Sequence, residues 1–122
     1  MNIRSLTVLV VVCSIMLASI ATYSYASSVE AVYKHYCTQC HGLKGDGKGP
    51  NAAQLSVAPR NHTDAKEMGK VSDKDIFTAI EEGGSAVGKS SAMPSWEKTL
   101  TKDEANELVK HLRKLCNCTG PN

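Results

Sequence analysis

Apolar residues recur along the chain in three stretches with helical spacing. Val29, Val32, Tyr33, Tyr36, Cys37 and Cys40 fall three or four positions apart and share one helix face. That helix is predicted to end near His41-Gly42, where glycine can take a left-handed cap. Ser72-x-x-Asp75 resembles a capping box ahead of Ile76, Phe77 and Ile80, and it predicts a helix from Asp73 to Glu82 stopped by Gly83-Gly84. Thr101-x-x-Glu104 is a second such box. Beyond it Ala105, Leu108, Val109, Leu112 and Leu115 stripe a final helix, with Lys110, Arg113 and Lys114 toward the end whose dipole favours cations. The intervening segments read as loops. Glycines alternate with charges from Gly42 to Pro50, Pro59 interrupts any regular element, Asp64 can open one short helix toward Met68, and Ser85 to Lys98 carries Met93-Pro94 and Trp96. No segment alternates as a strand would, and no repeat is present. The expected fold class is all-α, three main helices and long loops in a domain spanning residues 27–115, followed by a cysteine-containing tail over 116–122.

The first residues follow a different pattern. A short basic start, Met1 to Arg4, precedes the almost wholly apolar run Leu6 to Ile20, and Ser24-Tyr25-Ala26 then offers small residues where a signal peptidase reads. This is the layout of a secretory signal cleaved after Ala26. The apolar run is shorter than the roughly 18–20 residues a membrane span needs, so no stable insertion is expected after cleavage. Cys13 should leave with the signal. The remaining chain, residues 27–122, is one small domain with nearly balanced charge, since the whole sequence carries 14 basic and 12 acidic residues and Arg4 is lost. No basic field points to nucleic acid. Its aromatics are few, namely Tyr33, Tyr36, Phe77 and Trp96, so a core of protein alone would be thin. A buried prosthetic group would supply the missing apolar bulk.

Candidate chemistry starts at residues 37–41, Cys-Thr-Gln-Cys-His. C-x-x-C-H is an attachment sequence for a c-type haem. Two thiols on one side of a helical turn can each add across a vinyl group of one porphyrin, and His41 then becomes the proximal iron ligand. The alternative is half of a zinc site completed by Cys116 and Cys118. Zinc ribbons pair two C-x-x-C knuckles, whereas the second pair here is C-x-C behind an export signal. Met93 is the candidate for the distal ligand: its thioether is soft and neutral, and Pro94 fixes the backbone after it. Met68 lacks such a flank and reads as core or surface. His62, in a loop that reads as mobile, is the rival to Met93. His35 stands too close to Cys37 on the same helix to reach the opposite face, and His111 reads as solvated. Cys116-Asn117-Cys118 leaves three options: a tight ring across one residue, cross-links to another chain, or free thiols.

The order C-x-x-C-H, glycine-rich loop, Ser-Ala-Met-Pro-Ser-Trp, terminal amphipathic helix resembles the class I cytochromes c from about Val29 to Leu115. The resemblance implies the cytochrome c fold around one haem c held by Cys37 and Cys40, with His41 and Met93 as axial ligands. It further implies that the Pro59 carbonyl accepts the other N–H of His41, and that Arg60, Asn61 and Trp96 donate to haem propionates. Its implied use is single-electron transfer in the periplasm. The expected partners are a membrane dehydrogenase or quinol-oxidising complex on one side and a terminal oxidase or reductase on the other, docking through Lys44, Lys48, Lys89 and Lys98. A dedicated subunit of a larger redox complex, with Cys116 and Cys118 serving assembly, is the second reading. A haem enzyme or sensor with an exchangeable distal ligand is the third.

Overall fold

The computed structural model describes residues 29–121. The predicted signal, with the Ala26 cleavage site and Cys13, lies outside the described residues. Five α-helices follow in order: α1, described over residues 29–36, α2 Thr38–His41, α3 Ala65–Met68, α4 Asp73–Glu82 and α5 Lys102–Cys116. Short 3-10 turns stand at Ala52–Gln54 and Gly84–Val87. Among the described residues there is no β-strand, and no helix is long and apolar enough to cross a membrane. The all-α expectation and the bounds of α4 hold as the sequence implied.

Local chemistry accounts for the helix ends. Ser72 Oγ accepts from the Asp75 amide at 3.0 Å, half of a capping box. At α5 the box is complete: Glu104 N–H donates to Thr101 Oγ1, and the Thr101 amide donates back to Glu104 Oε2 at 2.8 Å. The amide and the hydroxyl of Thr101, both donating to Oε2, hold the Glu104 carboxyl below the usual carboxylate range. Asp64 caps α3 through the Glu67 amide. α1 and α2 are almost one helix, since Cys37 N–H still reaches the Tyr33 carbonyl at 2.9 Å and His41 N–H the Cys37 carbonyl at 2.9 Å.

The core gathers Tyr33 of α1, Met68 of α3, Ile76 and Ile80 of α4, Leu100, and the α5 stripe Ala105, Leu108, Val109, Leu112 and Cys116. Met68, for which the sequence leaves core or surface open, is 1% exposed. Arg113 docks α3 and its following turn on α5: its guanidinium donates to the Met68 carbonyl at 2.8 Å, to the Val71 carbonyl at 2.5 Å and to Asp73 at 2.7 Å. At the far end of α5, Cys116 and Cys118 are bonded to each other, with their Cα atoms 5.2 Å apart, inside the ordinary range for a disulfide. Asn117 makes this possible. It is the C-cap of α5 and takes the left-handed conformation at φ 48°, ψ 47°, which Asn tolerates better than most residues. The local ring replaces the cross-link to another chain, because neither sulfur is free for one.

Two substitutions separate core from cap. Leu108→Ala, at a fully buried site, is expected to cost about 2–5 kcal/mol, and Thr101→Ala about 1 kcal/mol. Denaturant unfolding of the exported protein measures both.

Candidate functional site

The site is built on the carbonyls that helices leave unpaired at their C-termini. At the end of α2 the Gly42–Gly49 loop turns back and supplies the donors. Gly47 N–H reaches the His41 carbonyl at 2.8 Å, Gly49 N–H the Cys40 carbonyl at 3.1 Å, and Asn51 N–H the Gln39 carbonyl at 2.8 Å. Glycine is required where the chain passes closest. Gly47 has φ +79°, and a Cβ there would stand 2.6 Å from the Pro59 carbonyl oxygen. The loop thereby sits against residues 59–61, which bring a carbonyl to the histidine.

His41 Nδ1 lies 3.0 Å from that carbonyl, and it belongs to Arg60. This corrects the expectation for Pro59 by one residue: Pro59 faces the glycine loop and the following peptide faces the imidazole. A carbonyl can only accept, so Nδ1 carries the hydrogen. Burial pulls the imidazole's proton affinity down; the bond to the Arg60 carbonyl opposes this in part, and the Arg60 guanidinium adds to the lowering. The ring is therefore neutral at neutral pH, and its Nε2 keeps a free lone pair, which is the state a metal ligand needs.

Cys37 and Cys40, four and one residues before it, are half-buried free thiols. Burial pushes the Cys37 thiol up to about 12, with the neighbouring Cys40 adding to the shift, so it is a neutral thiol and not a thiolate. Against the zinc alternative it is the placement of the second cysteine pair that decides. The same alternative loses Cys116 and Cys118 to their own disulfide, and no cluster of three or more His, Cys, Asp or Glu exists among the described residues.

The Met93 segment is held by the same device at the end of α4. Trp96 N–H donates to the Ile80 carbonyl at 3.1 Å, Glu97 N–H to the Glu81 carbonyl at 3.1 Å, and Ser95 Oγ also donates to Glu81. Gly84 N–H donates to the Met93 carbonyl at 3.0 Å. Gly83 and Gly84 do more than stop α4. A Cβ at Gly83 would meet the Met93 carbonyl at 3.0 Å, and one at Gly84 would meet the Met93 Cβ at 3.2 Å. The two segments converge through rings: Trp96 lies 5.2 Å from Tyr36, the residue before Cys37. Met93, Cys37, Tyr36, Phe77, Val32 and Trp96 are all only partly buried against the core. An apolar shell left half-covered beside two free thiols and a neutral imidazole fits a porphyrin.

Other residues depart from their sequence reading. His62 is buried, not mobile. It stacks on His41 with ring centroids 4.1 Å apart and planes 18° from parallel. Two axial ligands approach a metal end-on from opposite sides, so this face-to-face pair ends the case for His62 as rival to Met93. His111 is half-buried, its ring 4.9 Å from Tyr33. Asn61 Oδ1 is engaged in a local turn with Thr63. Arg60 contributes its carbonyl to the site, and Trp96 its ring contact with Tyr36. The sequence signal for His62 was Tyr33: a tyrosine in an apolar stripe buries a hydroxyl that needs a partner.

A helix ending in two free thiols and a neutral imidazole, wrapped in an all-α shell, is the haem-attachment arrangement of class I monohaem c-type cytochromes. The family model described as cytochrome c oxidase, cbb3-type, subunit III, matches residues 25–112, and the chain belongs to this c-type cytochrome family. Among solved structures it is similar to the c-type cytochrome KustC0563, with 28% identity over 70% of this chain and 94% of that one and a TM-score of 0.57. It is also similar to a chain of the Kuenenia stuttgartiensis reducing HAO-like protein complex Kustc0457/Kustc0458, at 28% identity and a TM-score of 0.58. That match covers 71% of this chain and 40% of the other, so this chain spans well under half of that relative. No curated protein matches the chain.

The glycine contacts predict a graded response. Gly88, at φ +67° with nothing near its missing Cβ, should lose about 1–2 kcal/mol on change to Ala from backbone strain alone. Gly47→Ala should lose more, because the Pro59 carbonyl must also move. Thermal or denaturant unfolding of the two variants checks the order.

Proposed function

We propose that this cytochrome is an exported, periplasmic single-electron carrier with one haem c attached through Cys37 and Cys40 and ligated by His41 and Met93. The observation that carries the reading is the bond from His41 Nδ1–H to the Arg60 carbonyl at 3.0 Å. It leaves Nε2 unprotonated beside two free thiols, in a chain of the c-type cytochrome family. When bound, the haem supplies a reversible one-electron iron couple. The chain's own residues do the rest. Cys37 and Cys40 supply the thiols for the covalent links. The Arg60 carbonyl holds the His41 tautomer and raises the basicity of Nε2. Met93, on a segment clamped to the end of α4, offers a neutral thioether that favours the reduced state and keeps external ligands out. Arg60 and Trp96 are candidate propionate donors, and Pro59 backs the glycine loop that presses this segment toward His41. Transfer then needs no proton step and no substrate site.

The second reading, a subunit of a larger redox complex, has support in relatives. One similar structure is part of a complex, and the family model is described as an oxidase subunit. A partner that co-purifies stoichiometrically with the exported protein favours it over a free carrier.

Two outcomes are expected. The oxidised protein should display the weak near-infrared band of methionine-ligated ferric haem. Met93→Ala should abolish that band and let carbon monoxide bind the reduced protein rapidly; carbon monoxide binding by the unaltered protein argues for an open site instead. Lys44, Lys48, Lys89 and Lys98 are all exposed. Electron transfer to an acidic redox partner should therefore slow as salt rises, as stopped-flow rates at increasing ionic strength would record.

A further inference from the structure

The bond to Arg60 restrains His41 at one atom. Acceptor geometry at a carbonyl is broad, so that bond alone leaves the imidazole plane some freedom to swing about its Nε2 axis. The structure supplies a second restraint. His62 lies flat against the His41 ring, 4.1 Å away and 18° from parallel, and a planar wall at that spacing blocks the swing.

His62 is itself pinned. Its amide donates to the Gly45 carbonyl, its ring is buried, and its Nδ1 is 3.0 Å from the Tyr33 hydroxyl. Tyr33 is anchored in turn. Its ring is buried in the core, 4.9 Å from the His111 ring. Gly45 leaves room for it, because a Cβ there would come within 3.1 Å of the Tyr33 hydroxyl and 3.4 Å of the His62 Cβ. Five residues from α1, the glycine loop, the 59–62 segment and α5 thus converge on one ring. An aliphatic residue at position 62 would fill the same space, but it would present no flat face and would leave the buried Tyr33 hydroxyl without this partner. A buried polar side chain carries a desolvation cost; a role in orienting its neighbour accounts for that cost being accepted here.

We propose that His62 is a positioning residue: stacked on His41 and locked by Tyr33, it sets the angle of the proximal imidazole plane about the metal–ligand axis. The proposal rests on the reading of His41 as axial ligand. In low-spin ferric haem the plane of an axial imidazole decides which iron orbital holds the unpaired electron, and so which porphyrin edge carries spin density. His62 would thereby influence the edge through which an electron leaves.

The test is proton NMR of the ferric holoprotein, reading the paramagnetically shifted haem methyl resonances, alongside unfolding midpoints. His62→Ala removes the wall and should reorder or compress the methyl shifts. His62→Phe restores a flat face and should return the pattern toward that of the unaltered protein, even though the unpaired Tyr33 hydroxyl lowers its unfolding midpoint. Tyr33→Phe should shift the pattern in the direction of His62→Ala. Should His62→Ala fail to mature, His62→Leu fills the space without a flat face and gives the same reading. A lowered midpoint with methyl shifts unchanged in order and spread would make His62 core filling only and overturn the proposal. If the unaltered protein has no low-spin haem signals, the axial-ligand reading itself fails and takes the proposal with it.

Discussion

One hydrogen bond, from His41 Nδ1 to the Arg60 carbonyl, joins the helix that carries the thiols to the loop behind it. Everything chemical about the site depends on it. It selects the tautomer, directs the free lone pair of Nε2, and sets the basicity of that nitrogen. The bond exists only because residues 59–61 are pressed toward α2 by the glycine loop. That loop is held in its turn by the carbonyls at the end of α2. A chain with side chains at those glycines could keep the C-x-x-C-H motif and still lose its oriented imidazole.

The Met93 segment repeats the principle. Helix α4 ends with unpaired carbonyls at Ile80 and Glu81, and the stretch after Met93 satisfies them. In both places an unavoidable defect of the α-helix, its uncapped C-terminus, becomes the anchor for a functional loop. This is an economical way to hold irregular backbone in a domain with so few core residues. It also places rigidity where an electron-transfer site benefits from it, since ligands that do not move on oxidation keep the reorganisation small.

Much of this was legible in the sequence, and the reasons are physical. The capping residues Ser72 and Thr101 mark helix starts because they satisfy orphan amides locally, so α4 and the start of α5 could be read without tertiary information. The Cys37, Cys40, His41 spacing carries its chemistry in the motif itself. What escaped depends on contacts between distant segments. The acceptor at Arg60, rather than Pro59, follows from the path of a loop pressed by Gly47. His62 sits in a stretch that reads as a mobile loop, yet it is buried against Tyr33, 29 residues away in the chain. The Cys116–Cys118 bridge turns on Asn117 adopting a left-handed conformation, which the residue type permits but does not require.

Everything proposed for this chain rests on one haem held by two thioether bonds at Cys37 and Cys40. Intact mass spectrometry of the exported protein, repeated after acid–acetone extraction, tests it most directly. The expected result is a polypeptide heavier than its own sequence by a single haem, with that mass surviving the extraction. A mass equal to the bare polypeptide, or haem that washes out with the solvent, would contradict it.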